Sequence, residues 1–411
     1  MTQAESTSDS KPDTGRPLPL EGVRVVELGS LIAGPYAAGL LAQFGAEVLK
    51  IEPPQDGDPL RKWRKLHDGT SLWWYSQSRN KKSVTLDLRS PAGQDIVRKL
   101  VAEADIVVEN FRPGTLEKWG LGWEDLRAVN PALVMVRVSG YGQTGPYKDR
   151  PGFAAIAESM GGLRYVSGYP DRPPVRSGVS IGDTLASLYG VIGALLAMHH
   201  LRANGGEGQF IDVALYESVF AVMESLVPEY AMFGHVRERS GASLPGISPS
   251  NTYPCQDGHY VIIAGNGDAI FRRFMTAIGR DDLGSDPRLA HNDGRVAHNA
   301  MLDDAITAWT RERSLDEVLD VLEAAAVPCG RIYTAADICA DPHYQARDMI
   351  ETHALPDGNA VSLPGIVPRL SETPGQTRWV GPGLGAHTEE VLASIGIAGK
   401  DFQALRESGV V

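Results

Sequence analysis

The sequence predicts an α/β protein with a large Rossmann-like domain and a smaller α+β domain. Short apolar runs alternate with helical patterns through the first half of the chain. Strands that alternate with helices in this way pair in parallel, with the helices as crossovers. A loop rich in Pro, Gly and Ser follows at 241–254, and a new strand pattern, YVIIAG, begins after it. The 411 residues, 43% of them hydrophobic, suffice for two cores.

The large domain, predicted at 18–224, begins with a strand, a helix and a second strand. These are VRVVEL from Val23, then YAAGLLAQFGA, then EVLKIE. SVTLDL (83–88) is the next strand, and Ser90 with Pro91 opens a helix, since serine is a good N-cap and proline fits the first turn. DIVVEN (105–110) and LVMVRVSG (133–140) continue the series. Ligands of such sheets bind beyond the carboxyl ends of the strands.

The rest of the chain is predicted to be helical from Gly152 to about Leu201, with a strand QFIDVAL at 209–215. The smaller domain is placed at 225–350 and includes an amphipathic helix at 315–325. Residues 351–411 are expected to return to the large domain. Residues 1–17 are polar and are predicted to form a disordered tail.

Composition narrows the classes of partner. The net charge of −12 argues against attraction to nucleic acid or an anionic membrane. The apolar run Leu188 to Met198 is too short for a membrane span and is interpreted as a buried core helix. Three cysteines without CxxC spacing indicate free thiols, and the N-terminus lacks the features of a secretory signal. We therefore expect a cytoplasmic protein.

Several common catalytic motifs are missing from the sequence. The first turn, Gly29 to Gly34, is not GxGxxG, and P-loop and GxSxG patterns are absent. The ten histidines are scattered, so we expect no metal site. A nicotinamide oxidoreductase is disfavoured, and no tightly bound cofactor is expected.

Asp183 stands where an apolar helix is predicted to start, which leaves two interpretations. Aspartate is a preferred helix N-cap, and most such residues are structural. A carboxylate at a helix N-terminus also stays ionised in the field of the helix dipole and, partly desolvated, can attack a carbonyl. The preceding Gly182 leaves room for a ligand. The residues alone leave both interpretations open.

Basic side chains recur in the loops of the first third of the chain. Singly, each is expected to be a solvated surface group; together, on successive strand-to-helix loops, they would form a rim for an anionic ligand. They are Arg61, Arg64, Lys81, Lys82, Arg89, Arg112, Lys118 and Arg150.

Several longer stretches carry a family resemblance. They include SRNKKSVTLDLRSPAG, ADIVVENFRPGTLEKWGLG, VSGYGQTGPY and PPVRSGVSIGDTLASLYG. In these motifs and their order the chain, from Leu18 to Val411, resembles the family III CoA-transferases of the CaiB/BaiF type. The resemblance implies the fold of that family, an interlocked homodimer, and acyl-CoA and a small organic acid as substrates.

The resemblance also implies roles for individual residues. Asp183 would be the nucleophile that forms an aspartyl anhydride and releases CoA thiolate. A basic residue of the family is replaced by Pro53, for which Arg61 is a candidate substitute. The implied CoA contacts are Leu31, Leu86, Arg89, Asn110, Phe111 and Lys118, with Arg61 and Arg150 as further basic candidates. The implied mobile lid loop is Gly265, Asn266, Gly267 and Asp268.

The substrates are predicted less directly. The closest likeness is to enzymes that use succinyl-CoA, with a C4 or C5 dicarboxylate or 3-sulfinopropionate as acceptor, and Arg176, Arg150 or Arg64 would bind its second acidic group. One alternative is an α-methylacyl-CoA racemase, which needs a histidine where this chain has Phe153. A non-catalytic acyl-CoA-binding protein is the other.

Overall fold

A computed structural model describes residues 16–355 and 357–411, so most of the predicted N-terminal tail lies outside the described residues. The described chain forms two compact units. The first contains residues 16–163 with Ser177–Glu224 and Arg347–Val411, and the second contains Arg164–Arg176 and Ser225–Ala346. This division differs from the predicted one at Arg164–Arg176, which the sequence pattern places in the large domain, and at residues 347–350, which it places in the smaller one.

The first unit is built on a parallel sheet. Its strands follow the order β5-β2-β1-β6-β7-β8, and each neighbouring pair is parallel. This is the strand order of the Rossmann fold, which confirms the predicted fold class. The strands are β1 (Arg24–Glu27), β2 (Glu47–Glu52), a short hairpin of β3 (Leu66–His67) and β4 (Thr70–Ser71), β5 (Lys81–Thr85), β6 (Ile106–Glu109), β7 (Val134–Ser139) and β8 (Phe210–Ala214).

Helices cover both faces of this sheet, which is why its strands are apolar without alternation. Val26 and Leu49 pack on one face with α3 and α5, and Val25 and Val48 pack on the other with α1 and α8. The helices are α1 (Ala33–Gln43), α2 (Leu72–Gln77), α3 (Pro91–Val101), α4 (Thr115–Lys118), α5 (Trp123–Val129), α6 (Ala154–Met160), α7 (Leu163–Val166), α8 (Ile181–Asn204) and α9 (Leu215–Phe220).

The predicted strand at 83–88 is shifted toward the N-terminus. The observed strand β5 begins at Lys81, whose side chain is 1% exposed because its ammonium is paired with buried Glu27. A pattern of apolar residues cannot reveal a lysine that is buried by a partner elsewhere in the chain. The next helix starts as predicted, with the Ser90 hydroxyl accepting a hydrogen bond from the Gly93 amide at 3.0 Å.

The helical region predicted from 152 to 201 is interrupted. Residues 167–180 contain three prolines and form no helix, and the long helix α8 starts only at Ile181. By length and composition α8 would suffice to cross a membrane, a test that core helices of soluble proteins also pass. Its Ala186 and Ala194 pack in the core beneath the sheet. The prediction of a buried helix is therefore right for one face only; exposed on α8 are Leu188, Ile192, Leu195 and Leu196.

The second unit has an antiparallel sheet with the order β11-β10-β9 and its own apolar core. The loop predicted at 241–254 is shorter than expected, because strand β9 begins within it. The strands are β9 (Ser250–Pro254), β10 (Tyr260–Ala264) and β11 (Cys329–Arg331). The helices are α10 (Leu226–Phe233), α11 (Asp268–Ala277), α12 (Asp281–Gly284), α13 (Asn292–Ala297), α14 (Asn299–Thr310), α15 (Leu315–Ala324), α16 (Ala335–Ala340) and α17 (Pro342–Ala346).

The C-terminal segment completes the first unit. It contributes the hairpin of β12 (Ile350–Ala354) and β13 (Ala360–Pro364), followed by α18 (Thr388–Ser394) and α19 (Gly399–Glu407). Leu392 and Phe402 from these two helices lie in the same core as Val84 of β5. The chain end thus covers the edge of the parallel sheet.

Candidate active site

The turn after β1, residues Gly29 to Ile32, lies where the strand order reverses between β1 and β6, the usual ligand position in such sheets. Asn110, which follows β6, holds it from one side: its carbonyl accepts from the Ser30 amide at 2.8 Å and its amide donates to the Ser30 carbonyl at 2.9 Å. A side chain at Gly29 would displace Asn110 from these bonds, since its Cβ would lie 2.8 Å from the Asn110 side-chain oxygen. We call residues Gly29 to Ile32 the β1–α1 turn.

The β1–α1 turn is also held from the opposite side. Leu31 has a φ of +64°, a conformation that costs a side-chain-bearing residue free energy. Its amide donates to the Asp58 carboxylate at 3.1 Å, and the Gln77 amide donates to its carbonyl at 3.3 Å. These contacts from two other segments stabilise the strained residue.

A buried network of ion pairs underlies the β1–α1 turn. The Lys50 ammonium lies 2.8 Å from both Glu27 and Asp58 and donates to the Gly29 carbonyl at 2.9 Å. Lys81 lies 2.8 Å from the other oxygen of Glu27 and donates to the carbonyl of Pro35 in α1. Burial opposes ionisation of Asp58, but Lys50 and two backbone amides hold the pKa of its carboxyl below the usual value.

Arg61, a predicted CoA contact, belongs to the same buried network. Its guanidinium lies 2.8 Å from both Glu52 oxygens, covers the Trp74 ring at 3.7 Å, and is 7% exposed. A phosphate would have to displace Glu52 from a buried pair, at a cost of several kcal/mol. This pairing disfavours Arg61 as the substitute for the basic residue that Pro53 replaces, and its contact with CoA stays a prediction.

Another buried carboxylate, that of Glu109, lies at the end of β6. Glu109 accepts from the Phe111 amide and from Arg137, each at 2.8 Å, and Arg137 also lies 2.8 Å from Glu117. Burial raises the pKa of Glu109 to about 7, against the opposing effect of Arg137. Phe111 packs edge-on against Trp119, with 5.4 Å between ring centroids. Glu109 thus fixes the backbone that presents Asn110 and Phe111.

Asp183 lies in the first turn of α8 and is half-buried. It is the third helical residue, and the N-cap is Ser180, so of the two interpretations left open the one that makes Asp183 the helix N-cap is wrong. Gly182 does not open onto free space, because a Cβ there would lie 3.4 Å from Ala154 of α6. The neighbouring Phe153, where a racemase would need histidine, is 70% exposed.

The other predicted CoA contacts differ in how they are presented. Leu86 is a core side chain, 1% exposed, so only its backbone is available to a ligand. Arg89 is 80% exposed and lies 2.9 Å from Asp87. Lys118 is exposed, and Arg150 is exposed with its guanidinium 3.7 Å from the Tyr147 ring.

The predicted lid loop, Gly265 to Asp268, belongs to the second unit and is held by one arginine. Arg295 is fully buried and donates to the Asn266 carbonyl at 2.6 Å and to the Asp268 carboxylate at 2.8 Å. Its remaining donors bind the carbonyls of Ser248, Leu289 and Ala290. The loop is thus part of a buried hydrogen-bond network in this conformation.

Sequence reasoning missed the groups that support these residues: Asp58, Gln77, Glu109, Ser187 and Arg295. Only Asp58 carries a local signal, since it stands between Gly57 and Pro59 and caps a short 3-10 turn through the Leu60 amide. The other four are recognisable only from their distant partners. In the part of the chain that the structure describes, no cluster of three or more His, Cys, Asp or Glu side chains is arranged to hold a metal ion.

Comparison with known proteins agrees with this geometry. The model of CoA-transferase family III matches residues 20–388. The chain is 50% identical to a succinyl-CoA:D-citramalate CoA-transferase of Chloroflexus aurantiacus (96% of this chain, 98% of that protein) and 36% identical to a succinate–glutarate CoA-transferase of Agrobacterium fabrum (92% and 96%). A CaiB/BaiF family protein of Brucella suis has a TM-score of 0.82 and 36% identity (92% and 100%). On these grounds the chain belongs to CoA-transferase family III.

Proposed function

We propose that the protein moves CoA from succinyl-CoA to a small dicarboxylic acid, with Asp183 as the nucleophile. The observation that carries the proposal is a half-buried carboxylate in the first turn of α8, within a chain 50% identical to a succinyl-CoA-dependent relative. The relatives named for D-citramalate, L-malate and glutarate all use small dicarboxylic acids. A 3-sulfinopropionate-like acid has the same arrangement of two acidic groups.

The chemistry needs two mixed anhydrides. An oxygen of Asp183 attacks the thioester carbonyl of succinyl-CoA, the C–S bond breaks, and CoA leaves as a thiolate. The acceptor carboxylate then attacks the side-chain carbonyl carbon of Asp183 and displaces succinate, which leaves an anhydride between the Asp183 side chain and the acceptor. The thiolate attacks the acceptor's acyl carbon, releasing the new thioester and the Asp183 carboxylate. Each step replaces one activated acyl bond, thioester or anhydride, by another, so no external energy source is needed.

We propose that CoA binds at the β1–α1 turn and along the exit of β6. Leu31, Asn110 and Phe111 lie at this switch point, and their backbone is held by buried carboxylates and amides. Exposed Arg89, Lys118 and Arg150 supply positive charge for the phosphates in a protein of net charge −12. Leu86 contributes through its backbone. The loop Gly265 to Asp268 acts as a lid that keeps water from the anhydride.

We propose that a second copy of the chain covers the apolar face of α8. Leu188, Ile192, Leu195 and Leu196 follow helical spacing and are 41–65% exposed, so they form one stripe. In α10 of the second unit no residue is buried, and Phe233 is 81% exposed. Exposed apolar faces of this kind mark interfaces. Sedimentation tests the proposal: we expect the wild type to be a dimer and Leu196→Glu to be a monomer. A wild-type protein that sediments as a monomer refutes it.

A reducing compartment such as the cytoplasm is the proposed location. Cys255, Cys329 and Cys339 are all free thiols. Burial raises the pKa of Cys255 and of Cys329, which keeps both in the less reactive protonated form.

The decisive experiment traps the anhydride. The protein is incubated with succinyl-CoA and then with hydroxylamine, and the peptide containing Asp183 is examined by mass spectrometry for a hydroxamate. Asp183→Asn is expected to abolish both trapping and CoA transfer. The matched control is Asp125→Asn, because Asp125 occupies the same third position of helix α5. Unmodified Asp183 in a protein that transfers CoA would refute the proposed nucleophile.

Acceptor identity is then read from product masses with a panel of acids. The panel contains D-citramalate, L-malate, glutarate, itaconate and 3-sulfinopropionate, with the monocarboxylate butyrate as the control. We expect transfer to at least one dicarboxylate or sulfinate. Transfer to butyrate alone would contradict the requirement for a second acidic group.

A further inference from the structure

One buried hydroxyl connects the helix of Asp183 to the helix that follows the β1–α1 turn. Ser187 lies one helical turn beyond Asp183 in α8 and is fully buried. Its Oγ lies 2.7 Å from the backbone carbonyl oxygen of Asp183 and 2.7 Å from the backbone carbonyl oxygen of Ala33. A serine hydroxyl carries a single proton, so these two carbonyls share one donor.

Of these two contacts, the one to Ala33 is the unusual one. A helical serine commonly bonds the carbonyl four residues earlier, which explains the contact with Asp183. Ala33 is 154 positions away in the sequence and is the first residue of α1. Both groups are buried, where a hydrogen bond is stronger than in water. The Ser187 hydroxyl therefore links the second turn of α8, one turn beyond Asp183, to the first residue of α1.

The far end of this link is itself fixed. Ala33 directly follows the β1–α1 turn, which Asp58 and Asn110 hold through the amides of Leu31 and Ser30. Lys81 donates to the carbonyl of Pro35, two residues beyond Ala33. The start of α1 is thus attached to the buried ion-pair network, and Ser187 extends that attachment to the turn that carries Asp183.

We propose that Ser187 is a positioning residue for Asp183. The inference rests on the proposed function: the Asp183 oxygen must approach the thioester carbon at near-attack distance, and CoA lies at the β1–α1 turn. A direct hydrogen bond between the two elements fixes the nucleophile relative to the thioester. An error of about 1 Å in such an arrangement can lower the rate roughly 100-fold.

The test compares Ser187→Ala with Ser218→Ala. Ser218 is also a buried helical serine that bonds the carbonyl four residues earlier, but the structure gives its hydroxyl no contact with α1. For Ser187→Ala we expect kcat for CoA transfer to fall about 10- to 100-fold with KM for succinyl-CoA within about twofold of wild type. Hydroxylamine trapping at Asp183 should slow by the same factor. Ser218→Ala should retain wild-type values.

A graded variant separates positioning from folding. Ser187→Cys is nearly isosteric and keeps a weak donor, so its kcat should lie between those of wild type and Ser187→Ala. The inference is overturned if Ser187→Ala has the wild-type kcat, with KM either unchanged or raised. In that case the proposed function still stands, provided that hydroxylamine traps the anhydride at Asp183 in the wild type. Retained CoA transfer in Asp183→Asn overturns both.

Discussion

Replacing Asp58 by asparagine tests whether the buried network supports the β1–α1 turn, where we propose that CoA binds. The network holds three carboxylates and three cations, all at most 7% exposed: Glu27, Glu52, Asp58, Lys50, Lys81 and Arg61. Asparagine keeps the shape of aspartate and a carbonyl oxygen that can accept from the Leu31 and Leu60 amides. The change removes one negative charge and leaves the buried cluster with an excess positive charge.

The expected loss of stability follows from the partners that remain. Removing one member of a buried ion pair costs roughly 3–5 kcal/mol. Lys50 would keep Glu27 at 2.8 Å and the Gly29 carbonyl at 2.9 Å, which places Asp58→Asn near the lower end, at about 3 kcal/mol. Such a loss is a large fraction of the roughly 5–15 kcal/mol that stabilises a typical domain.

Urea unfolding followed by tryptophan fluorescence measures this loss in the first unit, because six of the seven tryptophans lie there and only Trp309 lies in the second. A midpoint decrease of about 1 M is expected for a slope near 3 kcal/mol per M. KM for succinyl-CoA should rise as well, since Leu31 loses its charged acceptor. The control is Asp87→Asn, which breaks the exposed pair with Arg89 and should leave the midpoint unchanged.

The reasoning would be refuted by an Asp58→Asn protein with the wild-type midpoint and wild-type KM. A lower midpoint with unchanged KM would keep the energetic argument and reject the role of Asp58 in holding the turn.

Three further predictions follow from single contacts. Burial raises the pKa of Glu109 from 4.5 to about 7, so the contribution of Glu109 to the free energy of unfolding is full below pH 4.5 and is lost as the pH rises to 7. The melting temperature of the wild type, measured relative to that of Glu109→Gln, should therefore fall between pH 5 and 7.5. A difference in melting temperature that does not change with pH contradicts this prediction. Arg295→Met removes the buried donors that hold the loop Gly265 to Asp268, the proposed lid, so the ratio of succinyl-CoA hydrolysis to transfer should rise. Arg280→Met is the exposed control, and an unchanged ratio in Arg295→Met rejects the lid role. Arg89→Ala should raise KM for succinyl-CoA several-fold at low salt without changing the melting temperature, since Arg89 is exposed. The same KM in Arg89→Ala as in the wild type would show that Arg89 does not belong to the proposed phosphate site.

The sequence predicted the architecture well because the signals involved are local. EVLKIE is a strand with the predicted bounds, and Ser90 with Pro91 starts α3 as its capping chemistry requires. The motif around Asp183 singled out the start of α8, although the cap is Ser180. Periodicity and caps depend on residues within a few positions of each other, so they can be read without knowing the fold.

The state of individual charges was decided by tertiary structure. Arg61 and Lys81 appear in the sequence as candidates for a basic rim, yet both are buried against Glu52 and Glu27. Burial of a charge is favourable only where an opposite charge and hydrogen-bond acceptors are brought to it. Glu27 of β1 and Lys81 of β5 lie on strands separated by β2, and Glu52 meets Arg61 through the turn that follows β2, so no periodic pattern contains either pairing.

The sequence by itself thus determined the α/β class, the strands and the candidate nucleophile, because each depends on short-range pattern or on a family motif. Only the tertiary structure decided which groups hold the start of α8 and the β1–α1 turn: the bond from Ser187 to Ala33 joins residues 154 positions apart, and the bonds of Asn110 to Ser30 span 80. Such contacts exist because parallel crossovers bring distant segments to one edge of the sheet, where burial away from water strengthens each hydrogen bond and ion pair.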